Sequence, residues 1–326
     1  MKKTIRIGTR DSELALWQAN TVKRKLEALG YKTELVPVKS QGDIVLDKPL
    51  YEMGITGIFT KTLDVAMING MVDIAVHSMK DVPTLLPKGI MQTAVLERAT
   101  SEDILVTETD ADFEKPCTIA TGSLRRQAQW LHRYPNHKVV DIRGNVNTRL
   151  QKLKDNNWEG AIFAKAGLER INVLPKKYIN LDWMIPAPAQ GAMVIVAMEN
   201  DPFSIEATSK LNHTASDICT HIERQFLNTL EGGCTAPIGA FAEIIQEKIM
   251  FKGCLFSLDG KEMLEVEKSV NIKDLELQGV GNEGGPASGN SAQPLLGLTL
   301  GKNCAQEILQ NGGKELMAKI KKRTNK

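Results

Sequence analysis

The chain has 326 residues, 42% hydrophobic and 25% charged, enough to bury the cores of two or three globular domains. Its 41 basic and 39 acidic residues leave a net charge of +2, which is too balanced for a nucleic-acid coat or a membrane-surface protein. The longest apolar runs, such as 192–198, are too short to span a bilayer. No apolar stretch follows the two lysines near the N-terminus, so we expect a cytoplasmic protein rather than a secreted one.

The five cysteines are odd in number and widely spread along the chain. They are Cys117, Cys219, Cys234, Cys254 and Cys304. The sequence contains no CxxC pair and no Cys/His cluster at zinc spacing. This usage predicts a reduced compartment and no structural metal.

Strand and helix patterns alternate through the first two thirds of the chain. In order, the predicted elements are a strand over 4–9, a helix capped by Asp11 and Ser12 and ended by Gly30, a strand over 33–39, a helix over 59–69, and a strand over 72–78. The pattern restarts with a strand over 117–121, a helix over 123–133, a strand over 138–142, a helix over 146–155 and a strand over 160–164. Segment 119–130 also faintly echoes segment 7–18. Alternation of this kind predicts α/β layers with largely parallel strands.

The last third changes character. It contains helical patterns over 202–230, three strand patterns over 238–246, 249–258 and 263–271, and a final helix over 300–321. This mixture predicts a separate α+β domain. Residues 279–294 are rich in Gly, Ser and Pro and predict a loop, whereas the irregular segment 41–58 is a candidate active-site lid.

Basic residues are concentrated in 121–170, with ten lysines and arginines against four acidic residues. Ser123 can cap a helix whose first turn holds Arg125 and Arg126, which would favour a bound anion. Arg143 and Arg10 follow other predicted strands. Because strand carboxyl ends line the crevice of an α/β sheet, these arginines predict a cleft for a ligand with many carboxylates or phosphates. The alternative is a set of solvated helix faces.

The segment from His77 to Pro83 places a carboxylate, an ammonium and a hydroxyl at the end of an apolar strand. Asp81 is a candidate general acid or base, or a stabiliser of a cationic intermediate. It is equally a candidate turn residue before proline. The alternation of His77 with apolar neighbours predicts that it packs inside.

Cys234 lies in a Glu-Gly-Gly-Cys loop at 231–234. Flexible glycines can expose a thiol, and nearby cations make it a better nucleophile by ionising it. A lone cysteine is more often a small buried hydrophobe, so both interpretations stay open at this point.

Seven ordered motifs resemble the porphobilinogen deaminase family, also called the hydroxymethylbilane synthases. They are IGTRDSELALWQA at 7–19, VDIAVHSMKDVP at 72–83, GSLRRQAQ at 122–129, RGNVNTRL at 143–150, AGLERI at 166–171, PAPAQGA at 186–192 and EGGCTAPIGA at 231–240. The resemblance runs from residue 5 to about 258 and does not cover the later part of the chain.

The resemblance implies two α/β lobes like those of periplasmic binding proteins and a smaller C-terminal α+β domain. The expected boundaries are 1–98 with 193–214 for the first lobe, 99–192 for the second, and 215–326 for the C-terminal domain with the cysteine loop.

The resemblance also implies the chemistry. The family deaminates four porphobilinogen molecules and joins them head to tail on a covalent dipyrromethane cofactor, then releases hydroxymethylbilane by hydrolysis. The implied enzyme is a transferase of heme and tetrapyrrole biosynthesis, monomeric and free of metal, nucleic-acid and membrane partners. A thioether to Cys234 would hold the cofactor.

Motif by motif, the resemblance assigns the site. Asp81 takes the catalytic position. The implied cofactor-binding residues are Ser78, Lys80, Thr121, Ser123, Arg125, Arg126, Arg143 and Gly144. The implied substrate-binding residues are Arg10, Ser12, Gln18, Arg149 and Arg170.

Three features depart from the family pattern. The candidate lid lacks the lysines that many relatives carry near Glu52 and Thr56, so we expect no lysine guidance of substrate there. Ala189 replaces a usual glycine, and Gly122 replaces a usual Ser or Thr.

Two other function classes compete with the enzyme. A two-lobed binding protein or sensor for a polyanion would need the arginines but neither an anchored thiol nor Asp81. An RNA-binding protein would need aromatic side chains among the basic ones, and only Trp130 and Tyr134 are present there.

Overall fold

The computed structural model describes residues 3–39, 60–108, 112–231, 236–273 and 299–324. The candidate lid at 41–58, the loop at 279–294 and Cys234 lie outside the described residues. No helix within the described ranges is long and apolar enough to cross a membrane.

The first sheet has five strands in the order β2-β1-β3-β10-β4. These are β1 (Thr4–Thr9), β2 (Lys32–Pro37), β3 (Ile74–Ser78), β4 (Ile90–Val95) and β10 (Met193–Met198). Helix α1 (Glu13–Ala28) buries Val22 and Leu26 against one face, and helix α2 (Lys61–Ile68) buries Leu63 and Met67 on the other. This first lobe therefore has a helical layer on each face of its sheet.

The second sheet repeats the plan in the order β7-β6-β8-β5-β9. Its strands are β5 (Asp103–Val106), β6 (Thr118–Ala120), β7 (Lys138–Val140), β8 (Gly160–Ala164) and β9 (Tyr178–Asn180). Its helices are α3 (Leu124–Arg133), α4 (Val146–Asp155) and α5 (Lys165–Arg170). Strand β1 with α1 and strand β6 with α3 occupy equivalent places in the two lobes, which accounts for the faint sequence echo.

The C-terminal domain contains an antiparallel sheet of β11 (Ile238–Ile245), β12 (Lys248–Phe256) and β13 (Met263–Asn271). Helix α6 (Pro202–Ser209) leads into helix α7 (Thr214–Thr229), which packs on this sheet with α8 (Leu300–Ile308). Helix α9 (Lys314–Thr324) follows. Phe226 and Phe251 meet edge to face at 5.3 Å in the centre of this core.

The expectation of largely parallel pairing is wrong for half of each lobe. Strand β1 is parallel to β2 and β3, but β10 runs antiparallel to β3 and β4. In the second sheet, β6 is parallel to β7 and β8, but β5 is antiparallel to β8 and β9. The chain crosses between the lobes twice, first over 96–102 and again over 181–192, and the reversed strands β5 and β10 directly follow these two crossings. A local pattern carries no information on that long-range return, and β4, β5, β9 and β10 were not predicted.

The helical patterns over 202–230 form two helices, α6 and α7. One helical prediction needs correction. The final helix predicted over 300–321 is interrupted at 309–313. Gly312 there has a φ of +102°, a backbone angle at which an α-helix cannot continue.

Candidate functional site

The carboxyl ends of β1 and β3 in the first lobe approach those of β6 and β7 in the second, and most of the predicted site residues lie at these ends. Arg10 follows β1, and Ser78, Lys80 and Asp81 end β3 or follow it. Thr121 and Ser123 follow β6, whereas Arg143 and Gly144 follow β7. Gln18, Arg125, Arg126, Arg149 and Arg170 lie on helices, and Ser12 immediately precedes α1.

A short 3-10 turn, Met79–Asp81, carries the candidate catalytic carboxylate. The turn begins where the Met79 amide donates to the carbonyl of Ala192 at 3.0 Å. Just before it, the buried side chain of Gln18 donates to the Ser78 hydroxyl at 2.9 Å. Helix α1 and Ala192, the residue just before β10, therefore fix the start of the turn that places Asp81.

Lys80 connects the two lobes through one amide side chain. Its ammonium donates to Gln190 Oε1 at 3.2 Å, and Gln190 Nε2 donates to Asp103 Oδ1 at 2.8 Å. Burial, with a smaller contribution from the Arg126 charge, lowers the pKa of Lys80 to about 8. Lys80 is therefore a cation whose charge is sensitive to pH in the weakly alkaline range.

Asp103 holds both arginines of the α3 first turn. Its carboxylate contacts Arg125 Nη2 at 2.7 Å and Arg126 Nη2 at 2.7 Å, and all three side chains are buried. Burial opposes ionisation of Asp103, but the two guanidinium groups outweigh it and lower its pKa to about 2. The forks predicted to face a ligand are thus partly occupied by a protein carboxylate. Within the described residues, the buried Nε of Arg125 has no hydrogen-bond partner.

Two helix N-termini point into the same region. Ser123 caps α3 by accepting from the Arg126 amide at 3.5 Å, as predicted, and Asn145 caps α4 by accepting from the Thr148 amide at 2.9 Å. Within the described first lobe, Ser12 occupies the corresponding position of α1 but its side chain makes no capping hydrogen bond. The backbone donors of α3 and α4 therefore lie beside the arginines.

Arg149 brings the second lobe to Asp81. Its Nε donates to the carbonyl of Gly144 at 2.7 Å. Burial lowers the pKa of Arg149 to about 10, Arg126 adds to that effect, and the negative charge of Asp81 opposes it. Asp81 and Arg149 thus come from different lobes and interact electrostatically across the cleft. Arg143 is buried nearby, and its charge also lowers the pKa of Arg149.

Arg170 and Arg10 lie at other places in the cleft. Arg170 Nη2 donates to the carbonyl of Gly191 at 2.6 Å, and its guanidinium lies 5.6 Å from the ring centre of Trp17. It therefore bridges the second lobe and α1. Arg10 lies near His77, whose pKa falls to about 4 because of burial and the Arg10 charge. His77 is buried, as predicted from its apolar neighbours.

Sequence reasoning missed the residues that connect these groups. Asp103 opens a short apolar strand with no motif around it, so nothing local distinguishes it. Gln190 lies inside the PAPAQGA motif but was given no role. Arg98 and Glu223 form a second buried pair with Nη1 and Oε1 at 2.6 Å, and the amide of Ala189 donates to the same carboxylate at 2.6 Å.

Two of the departures from the family pattern, Ala189 and Gly122, lie within the described residues, and both fall at tight backbone positions. Ala189 has a φ of +62°, the left-handed region that favours the usual glycine. At Gly122, a Cβ would lie 2.8 Å from the carbonyl oxygen of Ile142, closer than side chains pack. Gly122 therefore permits the loops after β6 and β7 to approach each other.

Within the described residues, no group of three or more His, Cys, Asp or Glu side chains could hold a metal ion. The site is thus a cationic cleft built around two carboxylates, Asp81 and Asp103.

Comparison with known proteins agrees with this geometry. The family model "Porphobilinogen deaminase, dipyromethane cofactor binding domain" matches residues 5–206, and the model for the C-terminal domain of the same family matches residues 218–281. The porphobilinogen deaminase of Geotalea uraniireducens is 39% identical over 98% of this chain and 96% of its own length. The chloroplastic porphobilinogen deaminase of Oryza sativa is 41% identical over 81% of this chain and 77% of its own length.

Among solved structures, the periplasmic VFT2 domain of BvgS from Bordetella pertussis aligns with 64% of this chain and 86% of its own, at 12% identity and a TM-score of 0.40. The sequence matches span nearly the whole chain, including the segments that carry Asp81, the arginines and Cys234. They favour the enzyme over the binding-protein and RNA-binding alternatives. The chain belongs to the porphobilinogen deaminase family, transferases of tetrapyrrole biosynthesis that assemble hydroxymethylbilane on a dipyrromethane cofactor.

Proposed function

We propose that the cleft between the two lobes is the active site for porphobilinogen, the substrate that the family implies, and that Asp81 is its catalytic residue. One observation carries this proposal: Asp81 lies on the turn after β3 of the first lobe, where its negative charge raises the pKa of Arg149 of the second lobe. A carboxylate in that position sits among cations that can bind the acetate and propionate groups of the substrate.

Asp81 stabilises the positive charge that develops on the substrate's pyrrole nitrogen as ammonia leaves. A fixed carboxylate facing that N–H group stabilises the charged transition state more than the neutral ground state, which is the condition for catalysis. Asp81 can also hold the proton that the departing amine takes. Arg149 orients the substrate's carboxylates, and Lys80 binds those of the cofactor.

The cationic cleft fits a dipyrromethane, whose rings also carry carboxylates. The orphaned Nε of Arg125 is a buried donor suited to a carboxylate oxygen. The residues that would hold the cofactor are Ser78, Lys80, Thr121, Ser123, Arg125, Arg126, Arg143 and Gly144. When bound, dipyrromethane supplies the unsubstituted pyrrole carbon to which the first incoming ring is joined. Arg10, Ser12, Gln18, Arg149 and Arg170 would contact substrate.

We assign the cofactor's thioether to Cys234. The other four cysteines are all buried. Burial raises the pKa of Cys117, raises those of Cys219 and Cys254 to about 12, and raises that of Cys304 to about 11. A thiol is a poor nucleophile when it does not ionise, so these four are unsuited to forming the bond.

We also propose a cytoplasmic monomer with the domain boundaries expected from the resemblance. Strand β10 in the first sheet supports assigning 193–214 to the first lobe. The unpaired cysteines support a reducing compartment.

Light scattering during gel filtration would measure the mass in solution, and the mass of a dimer would contradict the proposal of a monomer.

The test of Asp81 is single-turnover chemistry on cofactor-loaded protein. Asp81→Asn keeps the size of the side chain but removes its charge, so we expect about a hundredfold or greater loss of rate, as for a principal electrostatic stabiliser. Asp81→Glu keeps a misplaced charge and should retain measurable activity. If Asp81→Asn deaminates and couples substrate at close to the wild-type rate, Asp81 is only a turn residue.

A further inference from the structure

The turn that carries Asp81 is bound from outside its own lobe by one arginine. Arg224 lies on α7, which packs on the C-terminal sheet. Its Nη1 donates to the carbonyls of Val82 at 2.9 Å and Met79 at 3.3 Å, and its Nη2 donates to the carbonyl of Pro83 at 2.6 Å. One guanidinium therefore closes over three backbone carbonyls, two of them just past Asp81.

The turn itself supplies a donor to one of these three carbonyls. A single 3-10 turn pairs few of its own groups, and here the Val82 amide bonds the Met79 carbonyl at 3.2 Å. The fixed fork of Arg224 can reach several oxygens at once, which a lysine ammonium on a flexible stem does less well. Arg224 thus completes the hydrogen bonding of the turn.

The turn is consequently held at its two ends by different parts of the molecule. Its start is fixed by Ala192 of the second crossing, and its end by Arg224 of α7. Helix α7 then ends at Thr229, five residues before Cys234 in the sequence. The same helix that leads to the cysteine loop therefore also sets the place of Asp81.

We propose that Arg224 is a positioning residue for Asp81. This inference rests on the catalytic role proposed for Asp81. Arg224 binds the backbone oxygens of Met79, Val82 and Pro83 and so fixes the direction in which the carboxylate points. A shift of about 1 Å in a catalytic group can cost on the order of a hundredfold in rate, so release of the turn should act on the chemical step rather than on substrate affinity.

The test compares Arg224→Gln and Arg224→Lys with Asn228→Ala. Asn228 lies one helical turn further along α7 and contacts Thr84 at 3.0 Å on the exposed side of the same loop, so its loss loosens the interface without releasing the turn. For Arg224→Gln we expect kcat to fall about tenfold or more with KM for porphobilinogen within about twofold. The kcat of Arg224→Lys should lie between those of Arg224→Gln and the wild type, and the kcat of Asn228→Ala should match that of the wild type.

Hydrogen exchange provides a readout that does not depend on activity. The Val82 amide should exchange faster in Arg224→Gln and, to a smaller extent, in Arg224→Lys, whereas amides in β3 should keep their protection. Intact mass should show the cofactor still attached in all variants. If Arg224→Gln does not fold, the Lys variant carries both measurements.

A double-mutant cycle with Asp81→Asn separates this inference from the proposal beneath it. If Arg224 acts through Asp81, Arg224→Gln should cost little more than about twofold once Asp81 has lost its charge. A normal kcat and unchanged Val82 exchange in Arg224→Gln or Arg224→Lys would overturn the positioning role. A full, additive loss in the Asp81→Asn background would also overturn it. A near wild-type rate in Asp81→Asn alone would instead overturn the role of Asp81.

Discussion

At the scale of single residues, Asp103 organises the basic side of the cleft. Its carboxylate lies between the guanidinium groups of Arg125 and Arg126 and also accepts from Gln190 at 2.8 Å. Two buried cations this close would repel each other and lose their hydration without a counter-charge. Asp103 therefore allows the arginines to remain in the cleft. Their Nη1 groups donate to the carbonyls of Ile185 and Ile162, and the Nε of Arg125 has no hydrogen-bond partner within the described residues.

Asp103→Asn should destabilise the protein strongly because it leaves the two buried guanidiniums uncompensated. We expect a loss of about 3–5 kcal/mol in the free energy of unfolding, the usual cost of breaking a buried ion pair. Urea titration measures it. The matched control is Asp112→Asn, which removes an exposed pair with Lys115 and should cost less than about 1 kcal/mol. Equal, small losses in both variants would contradict the role given to Asp103.

The acid dependence of stability follows from the same carboxylate. The pKa of Asp103 is lowered in the folded state from 3.8 to about 2, with burial opposing the two arginines. A lowered carboxyl pKa gives stability that is fully present above the unfolded value and is lost as pH falls through the folded one. The Asp103 contribution should thus be complete above about pH 5 and disappear only as pH approaches 2.

Lys80 should give the enzyme an alkaline limb in its pH profile. Its pKa is lowered to about 8, by burial first and then by Arg126, so above that pH it loses the charge that attracts carboxylates. We expect kcat/KM to fall as pH rises through about 8 in the wild type, and the fall to move to higher pH in Lys80→Arg, because arginine stays charged. Titration of the substrate's amine is common to both proteins. An identical limb in both would show that Lys80 is not its source.

At the scale of elements, the loop between β7 and α4 depends on one glycine. Gly144 has a φ of +117°, and a Cβ there would lie 2.6 Å from Cγ2 of Thr148. Its carbonyl also accepts from Arg149 Nε at 2.7 Å. The backbone of this loop thus sets both the start of α4 and the place of Arg149.

Gly144→Ala should lower the free energy of unfolding by about 1–2 kcal/mol, the cost of left-handed backbone for an L-residue, with more if Thr148 cannot move. Chemical denaturation measures the change. Gly167→Ala is the control, because Gly167 lies inside α5 and a Cβ there meets only Leu14 at 3.8 Å. That variant should gain about 0.5–1 kcal/mol from helix propensity. The glycine requirement at 144 would be refuted if both substitutions changed the free energy of unfolding in the same direction.

Local signals predicted elements well where a cap or a period was present. Helix α4 and strand β8 were predicted at their observed bounds, and Ser123 does cap α3. Strands β4 and β5 were missed because they are short apolar segments whose partners come from distant parts of the chain. The same reason explains Asp103 and Gln190: each acquires its role from residues 23 to 110 positions away.

The family motifs predicted which residues gather in the cleft but not how they bind one another. The sequence placed Arg125 and Arg126 toward a ligand, whereas the structure also pairs them with Asp103. It treated Arg170 as one more cation, whereas Arg170 joins α1 to the second lobe through Trp17. Contacts of this kind depend on the relative placement of the lobes, which no local pattern contains.

At the scale of the whole molecule, the buried pair of Arg98 and Glu223 joins the two lobes and the C-terminal domain. Arg98, which follows β4, donates to both oxygens of Glu223 on α7, at 2.6 and 3.1 Å. The amide of Ala189 in the second crossing and the amide of Ala242 in β11 donate to the same carboxylate. The C-terminal domain is thereby fixed to the crossing between the lobes.

The intact mass of the purified protein tests the assignment of this chain as a dipyrromethane-bearing enzyme most directly. The wild type should be heavier than its sequence by one dipyrromethane, and Cys234→Ser should have the sequence mass and no activity. Cys304→Ala, which alters a buried thiol of the same C-terminal domain, should keep the excess mass. An active wild type with the unmodified mass, or a Cys234→Ser protein that still carries the excess, would contradict the account.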